Sequence, residues 1–178
     1  HNFTLVHDDI MDKDIIRHGI ETLHEKWDVN TAILSGDAML AISLKLLMKN
    51  KSINKLKLVQ IFVEGLLSVC EGQAIDIEFE KKSIVSLEEY KEMIFLKTAY
   101  MIGLSAQMGG LLSNLPEKEI SELKEFGDCI GMAYQVQDDL LELFSDSKSM
   151  KKSLESDFTL NKKTFLWVST PEALRSKL

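Results

Sequence analysis

The chain has 178 residues, and its 21 basic and 28 acidic side chains give a formal net charge of −7. That length suits one domain that buries roughly two thirds of its unfolded surface. A composition 45% hydrophobic and 28% charged excludes disorder and collagen-like repeats, and the acidic balance argues against a nucleic-acid binder, which needs Lys and Arg to displace phosphate counterions.

The first segment carries apolar Phe3, Leu5 and Val6 ahead of Asp8-Asp9-Ile10-Met11-Asp12. From Thr31 to Lys49, Ile33, Leu34, Met39, Leu40, Ile42, Leu46 and Leu47 recur at spacings of three and four, with Asp37 interrupting the apolar surface. Leu56 to Phe79 repeats the pattern through Val59, Val63, Leu66, Leu67 and Cys70. Ser86-Leu87-Glu88-Glu89 reads as an N-cap with first-turn acids, opening a helix through Tyr90, Met93, Ile94 and Ala99. After the Ser113-Asn114 turn, Pro116-Glu117-Lys118-Glu119 opens another, running through Phe126 and Ile130 to Phe144. No window alternates with a period of two, and only Pro116 and Pro171 break the chain. The prediction is an all-α fold of long helices joined by short polar links.

Thr98 to Pro116 carries no charge, but Ser105, Gln107, Ser113, Asn114 and its glycines make it too polar for a membrane span. It reads as a buried helix of a soluble bundle, with no stable membrane insertion and the cytoplasm as the expected location. Cys70 and Cys129 show no metal-ligand spacing and are expected to be buried free thiols. Ser145 to Lys163 is a local basic loop, by composition a solvated connection; its place after an acidic cluster also suits an anion-contacting lid.

Two acidic clusters carry the chemistry. On a helix Asp8 and Asp12 lie four apart and share a face, with Asp9 at its flank. Like charges at that spacing repel unless a cation neutralises them, and carboxylate oxygens suit a hard ion such as Mg²⁺, which keeps waters and binds substrate phosphates. Asp138-Asp139-Leu140-Leu141-Glu142 repeats the geometry. Arg17 follows the first cluster, and Lys152 and Lys162 follow the second. Acids that hold metal ions beside cations that hold phosphate oxygens suit a diphosphate substrate.

Asp8-Asp9-x-x-Asp12 and Asp138-Asp139-x-x-Glu142, with Gly72-Gln73-x-x-Asp76, Lys97-Thr98 and Gln135 between them, resemble the ordered motifs of the trans-isoprenyl diphosphate synthases, the family of farnesyl and geranylgeranyl diphosphate synthases. Lys152 and Lys162 fall where family lysines contact the allylic diphosphate. The resemblance implies a helical bundle around a central cavity and a prenyltransferase that condenses an allylic diphosphate with isopentenyl diphosphate. It implies Asp8, Asp12 and Asp138 as principal Mg²⁺ ligands for three ions, with Asp9, Asp139 and Glu142 in support. Arg17, Lys97, Lys152 and Lys162 would share the charge of the leaving diphosphate, while Thr98 and Gln135 would stabilise the allylic cation. The family also implies a homodimer, to which apolar helices such as Leu56 to Leu67 are suited.

Three positions depart from the family pattern. Arg17-His18-Gly19 stands where two arginines and a glycine are common, making His18 a weaker, pH-dependent holder of isopentenyl diphosphate. Glu142 replaces the third aspartate and keeps its charge. Asn161 replaces a glycine and tolerates positive φ. Family members also carry helices before and after the matched region, so the chain reads as a domain fragment incomplete at both ends, expected to be inactive alone. Phe3 and the small Thr4, about one turn before the first aspartate, are the candidates for the floor of the product tunnel. An aromatic there resembles archaeal-type geranylgeranyl synthases and favours a C20 product, with C15 next. A class I terpene cyclase is disfavoured by Asp138-Asp139, and a non-catalytic subunit by the presence of both acidic motifs. Glu21-Thr22-Leu23-His24 matches the di-iron ExxH pair, but no second copy occurs.

Overall fold

A computed structural model describes residues 1–144, 162–171 and 174. They fall into two compact units, one built on His1–Asn50 and the other on Lys51–Leu143 with the described residues from Lys162 onward.

In the first unit, α1 (Asn2–Met11) carries the first acidic cluster. Asp12 still donates its N–H to the Asp8 carbonyl, at 2.8 Å, so the two acids keep helical spacing as expected. The left-handed Lys13 then ends the helix. A two-stranded ladder follows, β1 (Ile16–Arg17) against β2 (Ile20–Glu21), with Arg17 opposite Ile20. Its two-residue turn places His18 at φ 52° and Gly19 at φ 79°, the left-handed pair of a type I′ hairpin, which glycine supplies without strain. This hairpin departs from the expected absence of strands; two residues per strand are too few for alternation to show. After α2 (Leu23–Lys26), Asp28 caps α3 (Val29–Lys49) by accepting from the Thr31 amide and hydroxyl, each at 2.8 Å. Within its own unit α3 buries Ala32 and Gly36 and leaves Val29, Ile33, Leu34, Ile42, Leu46 and Met48 exposed.

The second unit comprises α4 (Lys55–Lys81), α5 (Leu87–Ile94), a π-helical turn (Phe95–Ala99), α6 (Tyr100–Leu112), α7 (Glu117–Phe144) and the short α8 (Phe165–Ser169). Ser86 caps α5 as expected, and does so reciprocally. Its hydroxyl accepts from the Glu89 amide at 3.1 Å while the Glu89 carboxylate accepts from the Ser86 amide at 2.8 Å. Phe79, Val85, Tyr90, Met93, Ile94 and Val168 form one core cluster; Leu58, Ile61, Leu104, Leu111 and Ile120 form a second. The all-α expectation is borne out.

Three further expectations need correction. The helix read continuously from Ser86 through Ala99 is interrupted by the π turn. Cys70 and Cys129 are free but exposed. Each lies two residues from a buried position (Ser68 and Gly72; Gly127 and Gly131), about 200° around its helix. Thr98 to Pro116 is not one helix either: α6 starts at Tyr100 and buries Gly103, Leu104, Gly110 and Leu111. By length and composition alone it is α3 and α4 that are apolar enough to cross a membrane.

Candidate functional site

In the first unit the cluster is organised around one cation. Arg17, on β1, donates Nε to Asp9 Oδ1 at 2.5 Å and sets Nη2 3.5 Å from Asp14 Oδ2 and 4.0 Å from Asp8 Oδ2. Burial pushes the Asp9 carboxyl above its usual range against the pull of Arg17. Burial also opposes the guanidinium charge, but the Asp9 hydrogen bond and the charges of Asp9, Asp8 and Asp14 outweigh it. Asp14 was not singled out from sequence, although it is only 2% exposed. The available signal was an acid three residues before the arginine. Thr22, itself buried, ties the loop by donating to the Asp14 carbonyl at 2.7 Å. His18 sits exposed at the hairpin tip, where the backbone demands positive φ.

In the second unit one stripe of α4 receives the π turn. Ser68, Gly72 and Asp76 recur every four residues and therefore share a face. Ser68 Oγ donates to the Leu96 carbonyl at 3.2 Å. At Gly72 a Cβ would lie 2.3 Å from the Lys97 amide nitrogen, so only a bare backbone permits this approach. Asp76 accepts from Lys97 Nζ at 2.6 Å. The glycine–glutamine and lysine–threonine motifs are thus two sides of one contact. Gln73, 7% exposed, keeps its Nε2 without a hydrogen-bond partner, a donor aimed at no described side chain or backbone oxygen.

The next residue turns the other way. Thr98 Oγ1 donates to Gln135 Oε1 on α7 at 2.8 Å, and Gln135 Nε2 donates to Asp139 Oδ1 one turn along at 2.9 Å. Asp139 Oδ2 also accepts from the Tyr90 hydroxyl at 2.6 Å and from the Phe165 amide, at the start of α8, at 2.7 Å. Burial, then the charges of Asp139 and Asp76, push the Tyr90 phenol far above its ordinary range, so it remains a donor. Asp138 is half-buried and stands outside this knot. Lys162 is half-buried ahead of α8, and its neighbour Lys163 is buried with Nζ 4.7 Å from the Trp167 ring centre.

Lys152 and Asn161 lie outside the described residues, as does the side chain of Glu142. Phe3 is buried and meets the His7 ring edge-on at 6.3 Å, while Thr4 donates to the His1 carbonyl at 2.6 Å. His7 Nε2 lies 3.2 Å from the Ile33 carbonyl, tying α1 to α3. Glu21 lies on β2 and His24 on α2, so the ExxH pair does not share a helical face. Among the described residues no three His, Cys, Asp or Glu side chains form a ready-made metal cage. The all-oxygen donor set of the two acidic motifs has the hardness that suits Mg²⁺, an ion that completes its shell with water and phosphate.

A solved geranylgeranyl pyrophosphate synthase superposes on the chain with a TM-score of 0.92 at 41% identity, over 99% of this chain and 55% of that one. The geranyltransferase of Helicobacter pylori, solved with magnesium and isoprenyl diphosphate, gives 0.85 at 31% identity, over 94% and 57%. The architecture is that of the all-α isoprenyl synthases. The chain belongs to the polyprenyl synthetase family, whose profile it matches over residues 1–177. It is 37% identical over 178 residues to a short chain isoprenyl diphosphate synthase of Methanothermobacter thermautotrophicus, a match covering 99% of this chain and 55% of that protein. The chain therefore spans about half the length of the relatives it matches.

Proposed function

We propose that this protein is a Mg²⁺-dependent trans-prenyltransferase that joins an allylic diphosphate to isopentenyl diphosphate, giving a short-chain prenyl diphosphate. The observation that carries the reading is the held pair Lys97-Thr98, locked by α4 on one side and α7 on the other. It sets an ammonium and a hydroxyl on adjacent residues, a cation for a leaving diphosphate and an oxygen for a carbocation. Family membership and the relatives' names support the same chemistry.

Bound Mg²⁺ supplies charge neutralisation for the leaving diphosphate; Asp8, Asp12 and Asp138 would hold it, with Asp9, Asp139 and Glu142 in support. Arg17, Lys97, Lys152 and Lys162 share the remaining negative charge, and the buried Gln73 amide is suited to donate to a diphosphate oxygen. The allylic C–O bond breaks with both electrons leaving on the diphosphate. The isopentenyl double bond then forms the new C–C bond, and the proton lost from the adduct passes to the released diphosphate. Because Thr98 donates its proton to Gln135, its oxygen lone pairs remain available to the cation. Three Mg²⁺ ions, a homodimer and a cytoplasmic location complete the proposal. The exposed apolar residues of α3 suit a second copy.

The test is product formation by the full-length protein from labelled isopentenyl diphosphate and an allylic diphosphate. Mg²⁺-dependent prenyl diphosphate, lost on EDTA treatment, is expected; no product, or a hydrocarbon in its place, overturns the reading. Chain length gives a separate prediction. A C20 product is expected, with C15 next. Phe3→Ala removes a buried ring from α1 and is expected to lengthen the product by at least one C5 unit, read by chromatography of the dephosphorylated alcohols. An unchanged product removes Phe3 from that role.

A further inference from the structure

We propose that Tyr90, a fully buried residue of α5, is a positioning residue that fixes the proton sense of the Thr98–Gln135 pair from two hydrogen bonds away. The inference rests on the prenyl-transfer reading for its meaning, but its geometry stands on its own.

An amide side chain can be placed either way round, and only its partners decide which end is oxygen. Here the carboxylate of Asp139 decides: its Oδ1 accepts from Gln135 Nε2, 2.9 Å away. That leaves Oε1 toward Thr98, 2.8 Å away, and obliges the threonine hydroxyl to donate. The sense of the Thr98 dipole is therefore set by the position of one carboxylate. Tyr90 holds that carboxylate from outside the line, its hydroxyl 2.6 Å from Asp139 Oδ2, with the Phe165 amide 2.7 Å from the same oxygen. The phenol is anchored in turn by the core cluster of Phe79, Met93 and Val168 and is 0% exposed. It has little freedom to leave its acceptor. The same knot fixes the start of α8, three residues after Lys162.

Tyr90→Phe keeps the ring and the packing and removes only the donor. In the full-length protein this is expected to lower kcat about 10–100-fold, the usual cost of losing an outer partner of a site. KM for both diphosphates should stay within about 2-fold, because no group that touches phosphate changes. Deuterium uptake at the Phe165 amide should rise, since its acceptor is less firmly held. This second reading needs no substrate: faster exchange alongside an inactive wild type would condemn the prenyl-transfer reading and leave the clasp intact. Unchanged Phe165 exchange, or full activity in the variant, overturns the proposal. So does a rate loss matched by an equal loss of folded protein, which would make Tyr90 merely structural, or a loss that excess Mg²⁺ restores, which would assign it to metal binding.

Discussion

Replacing Asp139 by alanine is expected to cost about 4 kcal/mol of stability, whereas replacing its neighbour Asp138 by asparagine is expected to leave stability nearly unchanged and remove turnover. The two residues are adjacent acids in one motif, yet their surroundings differ. Asp139 is 9% exposed and accepts from Tyr90 on α5, Gln135 on α7 and the Phe165 amide of α8. Alanine strands one buried and two half-buried donors at once. Each hydrogen bond to a charged group contributes roughly 1.5–3 kcal/mol, and partial hydration of the space left behind returns some of that loss. The midpoint of thermal unfolding monitored by circular dichroism should fall by roughly 8–16 °C. Asp138 has no part in that knot and is half-buried, so asparagine should fit with little change in melting temperature. If it holds Mg²⁺ against the leaving diphosphate, losing its charge removes several kcal/mol of transition-state stabilisation, or on the order of 10³-fold in kcat. Equal melting losses in both variants would show that the motif is structural throughout.

The division between Asp138 and Asp139 was not legible in the sequence, and the reason is physical. Spacing reveals which residues share a helix face, and it correctly placed Asp8 with Asp12. It does not reveal which donors arrive from elsewhere, and those on Asp139 come from two other helices besides α7. Tyr90 was read only as an apolar position of its helix because its period is that of the core, and nothing local shows where its hydroxyl points. The capping box at Ser86 and Glu89 was half legible. Its four residues announce the cap, while the reciprocal bond appears only once both backbone amides are placed. The π turn left no mark at all, since five residues cannot distinguish its period from that of an α-helix. Its Leu96 carbonyl is met by Ser68, 28 residues away. Cysteine burial failed for a related reason. Cys70 falls within an apolar run, but two residues beyond Ser68 it points away from the buried stripe.

Gly72→Ala is expected to be the most damaging single-methyl change in the second unit. The added Cβ would lie 2.3 Å from the Lys97 nitrogen, 2.7 Å from its Cα and 2.8 Å from the Leu96 carbonyl carbon, all backbone atoms. A flexible side chain could turn aside; a backbone cannot. Nor can the turn back away freely, because it is tied to the same helix one turn before and one turn after the glycine. Ser68 holds the Leu96 carbonyl at 3.2 Å, and Asp76 holds Lys97 Nζ at 2.6 Å. Relief of the clash must stretch one of these ties or lift the whole turn. Overpacking of this kind costs about 1–3 kcal/mol, and sometimes more, so a lowered melting temperature is one expected result. The larger expected result is kinetic. Lifting the turn displaces Lys97 and Thr98 together, and a shift of about 1 Å in positioned groups can cost about 10²-fold in rate. The discriminating measurement is kcat at a temperature where the variant is fully folded. A rate within about 2-fold of wild type there, against the loss of about 10²-fold expected for misplaced groups, would mean that the turn yields without moving its side chains. Gly72 would then be needed for stability alone. Ser68→Ala provides the internal control. It releases one tie without adding bulk, so in combination with Gly72→Ala it should recover part of the lost rate if backbone displacement is the cause.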